Sequence, residues 1–178
     1  MEVATQNLDS TIEHWASIDG YLNYQVSWWG RVLNTKTGRI LKPGTCTGGY
    51  LIVCLYKDGQ QKVHTIHKLV AKEWMSNPEG KHCVDHRDGD PTNNHHENLR
   101  AATTSENCRN RKGRKDCSSE YKGVSWHKAQ NKWYARCVVD GKRKALGYYT
   151  SEREAAEAYN AAAVLYYKKF ARVNVFSD

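Results

Sequence analysis

The chain has 178 residues, with 27 Lys and Arg against 19 Asp and Glu, a net charge of +8 and a mean hydropathy of −0.80. That length suits one domain or two small ones of ~50–200 residues, and an aromatic content of 11% argues against a disordered chain. No run approaches the ~18 apolar residues of a membrane span, and the N-terminus has neither the basic nor the apolar region of a signal peptide. The six cysteines include no C-x-x-C pair, so intracellular thiols are expected and zinc is not.

In chain order, short strands alternate with turns. Trp15 and Ile18 precede Asp19-Gly20; residues 24–27, 31–33 and 39–41 follow as strand-like runs separated by Gly30 and Thr37-Gly38. Residues 50–56 form the clearest strand, and Asp58-Gly59 turns it into residues 62–66. In 67–75 the apolar positions Leu69, Val70 and Trp74 predict a short amphipathic helix, closed by Asn77-Pro78. A small antiparallel sheet with one helix is therefore expected ahead of residues 83–107, CVDHRDGDPTNNHHENLRAATTSEN.

That stretch is unlike core-building sequence. Asp85 and His86 stand side by side, followed by a polar turn at Asp88-Gly89-Asp90-Pro91 and a second one containing Asn93, Asn94, His95 and His96. A free imidazole has a pKa of ~6.5, so His86 can take a proton near neutral pH. Asp85 and Asn107 offer oxygen ligands suited to a hard Mg²⁺ or Mn²⁺. Adjacent strand residues point to opposite faces, so the pair can serve metal and water separately. An Asp-His pair is also a common surface hydrogen bond, and spacing alone leaves both readings open.

Residues 108–120 are basic and aperiodic, and read as a linker that spans roughly 43 Å if extended at ~3.3 Å per residue. Up to residue 107 the chain holds 11 basic and 12 acidic residues, and beyond it 16 and 7, which fits either a C-terminal part that supplies phosphate affinity or a solvated basic surface. There, residues 121–126, 133–139 and 143–149 read as strands, with Asp140-Gly141 as a tight turn. Trp133, Ala135, Cys137 and Val139 alternate with Tyr134, Arg136 and Val138, and the first set suits a core. Ser151 and Glu154 form a capping box ahead of an Ala-rich helix. The fold class is α+β.

The run VDHRDGDPTNNHHENLRAATTSEN resembles the HNH endonucleases of the phage and intron homing type. The resemblance implies a ββα-metal finger, with Asp85 and Asn107 as metal ligands, His86 as general base, and Asn98 as the residue that braces the loop and orients the base. Many HNH enzymes have His where this chain has Asn107; the homing subgroup commonly uses Asn. Residues 15–33 resemble the nuclease-associated modular motif that precedes such units, and His67-Lys68-Leu69-Val70-Ala71 resembles the helix leading into them, with His67 expected to be structural or phosphate-contacting. YKGVSW at 121–126, residues 146–163 and VNVF at 173–176 resemble the Apetala-two domain of plant ethylene-response factors. By position, Lys122, Ser125, His127, Arg136 and Arg143 fall where that family places DNA-facing side chains, and Trp126, Lys132 and Tyr134 are candidates for added stacking or phosphate contacts. Ser125 and Val138 stand where Arg is usual, Arg136 where an acid is usual and Ala145 where Trp is usual, so the plant target is not carried over.

These resemblances imply three segments: a nuclease-associated motif and HNH catalytic domain at 12–107, a basic linker at 108–120 whose Arg109, Arg111, Lys112, Arg114 and Lys115 contact phosphate, and a DNA-binding domain at 121–176. The implied activity is sequence-specific cleavage of double-stranded DNA with one divalent metal, Mg²⁺ or Mn²⁺, by an intracellular, cytoplasmic protein of a phage or mobile element (nuclear in a eukaryotic host). It implies no membrane partner, and a homodimer if both strands are cut. The alternative is a DNA-binding transcription regulator with a silent nuclease fold.

Overall fold

Turn residues cut the N-terminal half into short strands, and the computed structural model, which describes residues 11–113 and 117–176, shows how they pair. Strands β1 (Trp15–Ser17), β2 (Tyr24–Ser27), β3 (Val32–Asn34) and β4 (Arg39–Ile40) form an antiparallel meander. Pro43, which lacks an amide hydrogen, follows β4. Then β5 (Gly44–Thr45), β6 (Leu51–Lys57) and β7 (Gln60–Thr65) make a second sheet. Asp58 and Gly59 both have positive φ, 50° and 76°, as the tight β6–β7 hairpin requires. Helix α1 (Ile66–Trp74) follows directly and buries Ile66, Leu69 and Val70. Strands β8 (Cys83–His86) and β9 (Leu99–Ala102) pair antiparallel, with Asp85 opposite Arg100 and His86 opposite Leu99.

The sequence predicts one small sheet ahead of residue 83, whereas those strands divide between two, and the β8–β9 ribbon of the expected ββα finger is the third. Pro43 separates the first from the second, and α1 the second from the third. A single buried cluster nonetheless joins them: Val26 and Val32 from the first, Val53 and Leu55 from the second, Leu69 and Val70 from α1, and Leu99 from the third. Each sheet is too small to bury an apolar face alone, so sharing one core stabilises all of them.

The described residues form two compact units that divide between Ala102 and Thr103. The second opens with α2 (Thr104–Asn110), capped by a reciprocal box in which Thr103 Oγ1 accepts from the Glu106 amide and Glu106 Oε2 accepts from the Thr103 amide. Strands β10 (Val124–His127), β11 (Lys132–Val139) and β12 (Lys142–Tyr149) form an antiparallel meander, with the left-handed turn Asp140-Gly141 between the last two. Helix α3 (Glu152–Tyr167) has the expected Ser151–Glu154 capping box. Its Ala155, Ala156, Ala162 and Ala163 lie against Val124, Ala135 and Cys137, so small side chains let the helix approach the sheet closely.

Parts of the segment expected to be a linker are tied to the second unit. Residues 108–110 continue α2, Ser118 Oγ accepts from the Trp126 amide at 2.9 Å, and Lys122 Nζ donates to the carbonyls of Arg109 and Arg111. Arg114 and Lys115 lie outside the described residues. Among those residues, no helix is long and apolar enough to cross a membrane.

Two stability predictions follow from this packing. Gly123 has φ +81°, and a Cβ there would fall inside the ring of Tyr159 and 2.8 Å from the Arg136 carbonyl. Gly123→Ala should therefore destabilise the second unit by about 2–4 kcal/mol, read as a lower urea midpoint. In the first unit, burial, with added repulsion from His86 and Lys68, pushes the His67 imidazole down to about 4. Because the unfolded chain binds that proton more readily, this contribution is complete above ~6.5 and is lost as pH falls through the window toward about 4. Urea titrations across that window should show a shallower loss of stability in His67→Gln than in the parent.

Candidate active site

Asp85 and His86 are both buried, 4% and 5% exposed, at the end of β8. The antiparallel register sets Arg100 directly across from Asp85, and its Nε and a terminal nitrogen both donate to Asp85 Oδ2 at 2.7 Å. A buried carboxylate needs such a partner, since desolvating an unpaired charge costs several kcal/mol or more. His86 Nε2 lies 3.1 Å from Asn94 Oδ1. The Asn94 amide nitrogen donates to the Thr92 carbonyl, which identifies Oδ1 as the acceptor facing the ring. Neutral His86 therefore carries its proton on Nε2 and its basic lone pair on Nδ1. The edge of His67 meets His86 with ring centroids 5.3 Å apart, and Tyr50 lies 4.9 Å from His67 and 5.9 Å from His86. The low pKa of His67 keeps it uncharged beside His86, and its buried Nδ1 has no hydrogen-bond partner among the described residues.

The polar loop between β8 and β9 is held by amides. Asn98 Nδ2 donates to Asp88 Oδ1 at 2.9 Å and to the Asn93 carbonyl at 2.8 Å, while its Oδ1 accepts from the Asp88 amide. Asn93 Nδ2 donates to Asp88 Oδ2. Partial burial raises the Asp88 carboxyl, but the donors from Asp90, Asn98 and Asn93 outweigh it and hold the pKa below its ordinary value. Asn98 thus ties Asp88 to Asn93, and the side chain that touches the His86 ring is Asn94.

Residues from the β2–β3 turn brace the same loop from outside. Trp28 stacks parallel on His96 at 4.9 Å, and its carbonyl accepts from the His96 amide at 2.7 Å. Gly30, at φ +84°, leaves room for Asn94, whose Cβ would lie 2.6 Å from any Cβ added there. His96, read in the sequence as part of a polar turn, is thus a packing residue. Asn107 is half-buried on α2, in the second unit, and its amide donates to the Thr103 carbonyl.

In the second unit, Ser125 and His127 on β10, Lys132, Tyr134 and Arg136 on β11, and Arg143 on β12 share the sheet face turned away from α3. Tyr148 joins them, with its ring 4.9 Å from Tyr134 and 5.1 Å from His127. Two expected members do not. Trp126 pairs with Trp133, rings 5.1 Å apart, on the helix side, because it alternates with Ser125 and His127. Lys122 directs its amine to the end of α2. Arg109 lies over the Tyr167 ring at 5.0 Å, while Arg111 and Lys112 are exposed.

Arg100, Asn94 and Tyr148 were not singled out from the sequence. Arg100 becomes visible only once β8 and β9 are put in register, and Asn94 reads as one turn residue among several. Tyr148 was findable, because it falls in phase with Arg143 once a one-residue bulge near Arg136 is allowed for.

The NUMOD4 motif family matches residues 13–56, and the HNH endonuclease family matches residues 73–109. An uncharacterized HNH endonuclease of Acanthamoeba polyphaga mimivirus is 41% identical over 112 residues, which cover 59% of this chain and 27% of that protein. The DNA endonuclease I-HmuI of Bacillus phage SP01 is 39% identical over 101 residues, 56% of this chain and 58% of that protein. An AP2-like ethylene-responsive transcription factor of Arabidopsis thaliana is 40% identical over 63 residues, 34% of this chain and 12% of that protein. The chain thus spans less than two thirds of the length of each of these three proteins. A solved structure of DNA binding and cleavage by the HNH homing endonuclease I-HmuI superposes with a TM-score of 0.53 at 33% identity, over 81% of this chain and 82% of that one. Since that agreement extends across four fifths of both chains and the HNH match covers the Asp85–Asn98 loop, the chain belongs to the HNH homing-endonuclease family.

Proposed function

We propose that this chain is a metal-dependent DNA endonuclease of the homing type, in which Asp85, His86, Asn98 and Asn107 form the catalytic site and the open sheet of the second unit engages double-stranded DNA. The observation that carries the proposal is the buried His86, whose Nε2 is tied to Asn94 so that Nδ1 holds the basic lone pair. The donor set suits a hard divalent cation: Asp85 and Asn107 offer a carboxylate and an amide oxygen, which favour Mg²⁺ or Mn²⁺ over softer ions. Such an ion, when bound, neutralises charge developing on the scissile phosphate and the 3′ leaving oxygen. His86 takes the proton of the attacking water at Nδ1, leaving 5′-phosphate and 3′-hydroxyl ends. Asn94 keeps the ring in the required tautomer, and Asn98 keeps the loop that carries Asn94 closed. Arg100 keeps the Asp85 carboxylate compensated in a buried setting.

Residues 121–176 are proposed as an Apetala-two-type DNA-binding domain, with Arg136, Arg143, Lys132, His127, Tyr134 and Ser125 on the contacting face. The plant relative and the shared sheet face support this assignment. Arg109, Arg111, Lys112, Arg114 and Lys115 are proposed to add phosphate contacts. One site cuts one strand, so cleavage of both strands needs a second copy or a second event.

Incubating supercoiled plasmid with Mg²⁺, with and without chelator, separates nuclease from silent-fold regulator: metal-dependent nicking is expected, and DNA binding without any cutting would sink the proposal. His86→Ala should lower the cutting rate by about 10²–10⁴-fold while DNA is still bound. Asn94→Ala, which releases the ring, should cost about 10²-fold in single-turnover rate. Arg136→Ala and Arg143→Ala should weaken binding, each reducing the slope of log K against log salt by about 1.

A further inference from the structure

We infer that Lys122 is a positioning residue for Asn107, so that the DNA-binding unit itself sets the helix carrying one of the proposed metal ligands. The inference rests on the reading of Asn107 as a ligand. Helix α2 has seven residues, too few to be stable alone. It flanks a cavity of about 320 Å³ lined by Ser105, Cys108, Arg109, Tyr159 and Tyr167, so close packing does not define its orientation on that side. Its N-terminus is closed by the Thr103–Glu106 box; at its other end the Arg111 amide donates to the Cys108 carbonyl, and Lys122 Nζ donates to the Arg109 carbonyl at 2.5 Å and to the Arg111 carbonyl at 2.6 Å. An ammonium on carbonyls exposed at a helix C-terminus satisfies unpaired acceptors and complements the helix dipole.

Lys122 is in turn held rigidly. Its amide donates to Asn174 Oδ1 at 2.7 Å, and its carbonyl accepts from Asn174 Nδ2 at 3.1 Å. Asn174 is fastened to α3, donating its amide to Asn160 Oδ1 and accepting from Asn160 Nδ2 at its own carbonyl. The line from Asn160 through Asn174 and Lys122 thus reaches the final turn of α2, one turn from Asn107. Desolvation lowers the Lys122 ammonium to about 8, in keeping with a group committed to this internal contact rather than to solvent. An outer residue that orients a ligand commonly controls metal affinity as strongly as the ligand does.

The test uses the full chain in a His86→Ala background, saturated with non-cognate duplex DNA at low salt, with Mn²⁺ titrated calorimetrically. Lys122→Met should weaken Mn²⁺ binding by about 10-fold or more, speed amide exchange at residues 107–111 but not in α3, and leave metal-free duplex affinity unchanged. In an Asn107→Ala background it should add no further loss of Mn²⁺ affinity, because both changes act on one ligand. Lys122→Gln, which keeps a donor without the charge, should fall between. Weakened Mn²⁺ binding in Asn107→Ala with parental binding in Lys122→Met or Lys122→Gln would overturn the positioning role and leave the ligand assignment standing. Parental Mn²⁺ binding in Asn107→Ala would remove the ligand assignment and this inference with it. Loss of duplex affinity in Lys122→Met with intact Mn²⁺ binding would return Lys122 to a DNA contact.

Discussion

Two nitrogens of Arg100 on one oxygen of Asp85, both residues buried, create the constraint on which the first unit is built. Either charge alone in that position would cost several kcal/mol. The two short strands must therefore pair in the register that sets the two residues across from one another. A slip of β9 by one residue would turn Arg100 to the wrong face and send Leu99 out of the shared core. That register also delivers His86 to the strand end, where the polar loop begins. A two-stranded ribbon is marginal in water. Here it is held by an ion pair on one residue and an apolar anchor on the next.

The loop is the second dependency. Its residues are poor core formers, so amide hydrogen bonds supply the order that packing cannot. Asn98 closes the loop onto Asp88 and Asn93, and Asn94 reaches the His86 ring. The N-terminal motif then gains a concrete purpose. Trp28 stacks on His96 and accepts from its amide, and Gly30 makes room for Asn94. The NUMOD4 segment thus braces the loop that orients the proposed base, some sixty residues further along the chain.

In the second unit one division of labour recurs on every strand. Side chains of one phase pack on the alanine stripe of α3, and those of the other remain on an open face with Arg136, Arg143 and an aromatic cluster of His127, Tyr134 and Tyr148. The bulge near Arg136 shifts the phase of β12 by one residue, so that Ala145 and Arg143 keep to the open face. A positive face beside clustered rings is suited to a phosphate-lined groove.

Alternation, turn residues and caps are local properties, and the sequence by itself determined them: the Asp58-Gly59 and Asp140-Gly141 hairpins, the Ser151–Glu154 box, the two phases of β11 and the identities of Asp85, His86, Asn98 and Asn107 as site candidates. Each depends on residues within a few positions of one another, or on a contiguous motif. The division of the strands before residue 83 between two sheets was not legible, because Pro43 acts on pairing partners far apart in sequence. Nor were the partners of the candidates. Arg100 meets Asp85 across a register, Gly30 meets Asn94 through a turn in another sheet, and Lys122 leaves the sheet face to bind carbonyls of α2. Desolvation drives the first and the last of these contacts, and close packing the second. A buried charge or carbonyl must be satisfied by whatever the fold brings near, and only the tertiary structure decided what that was.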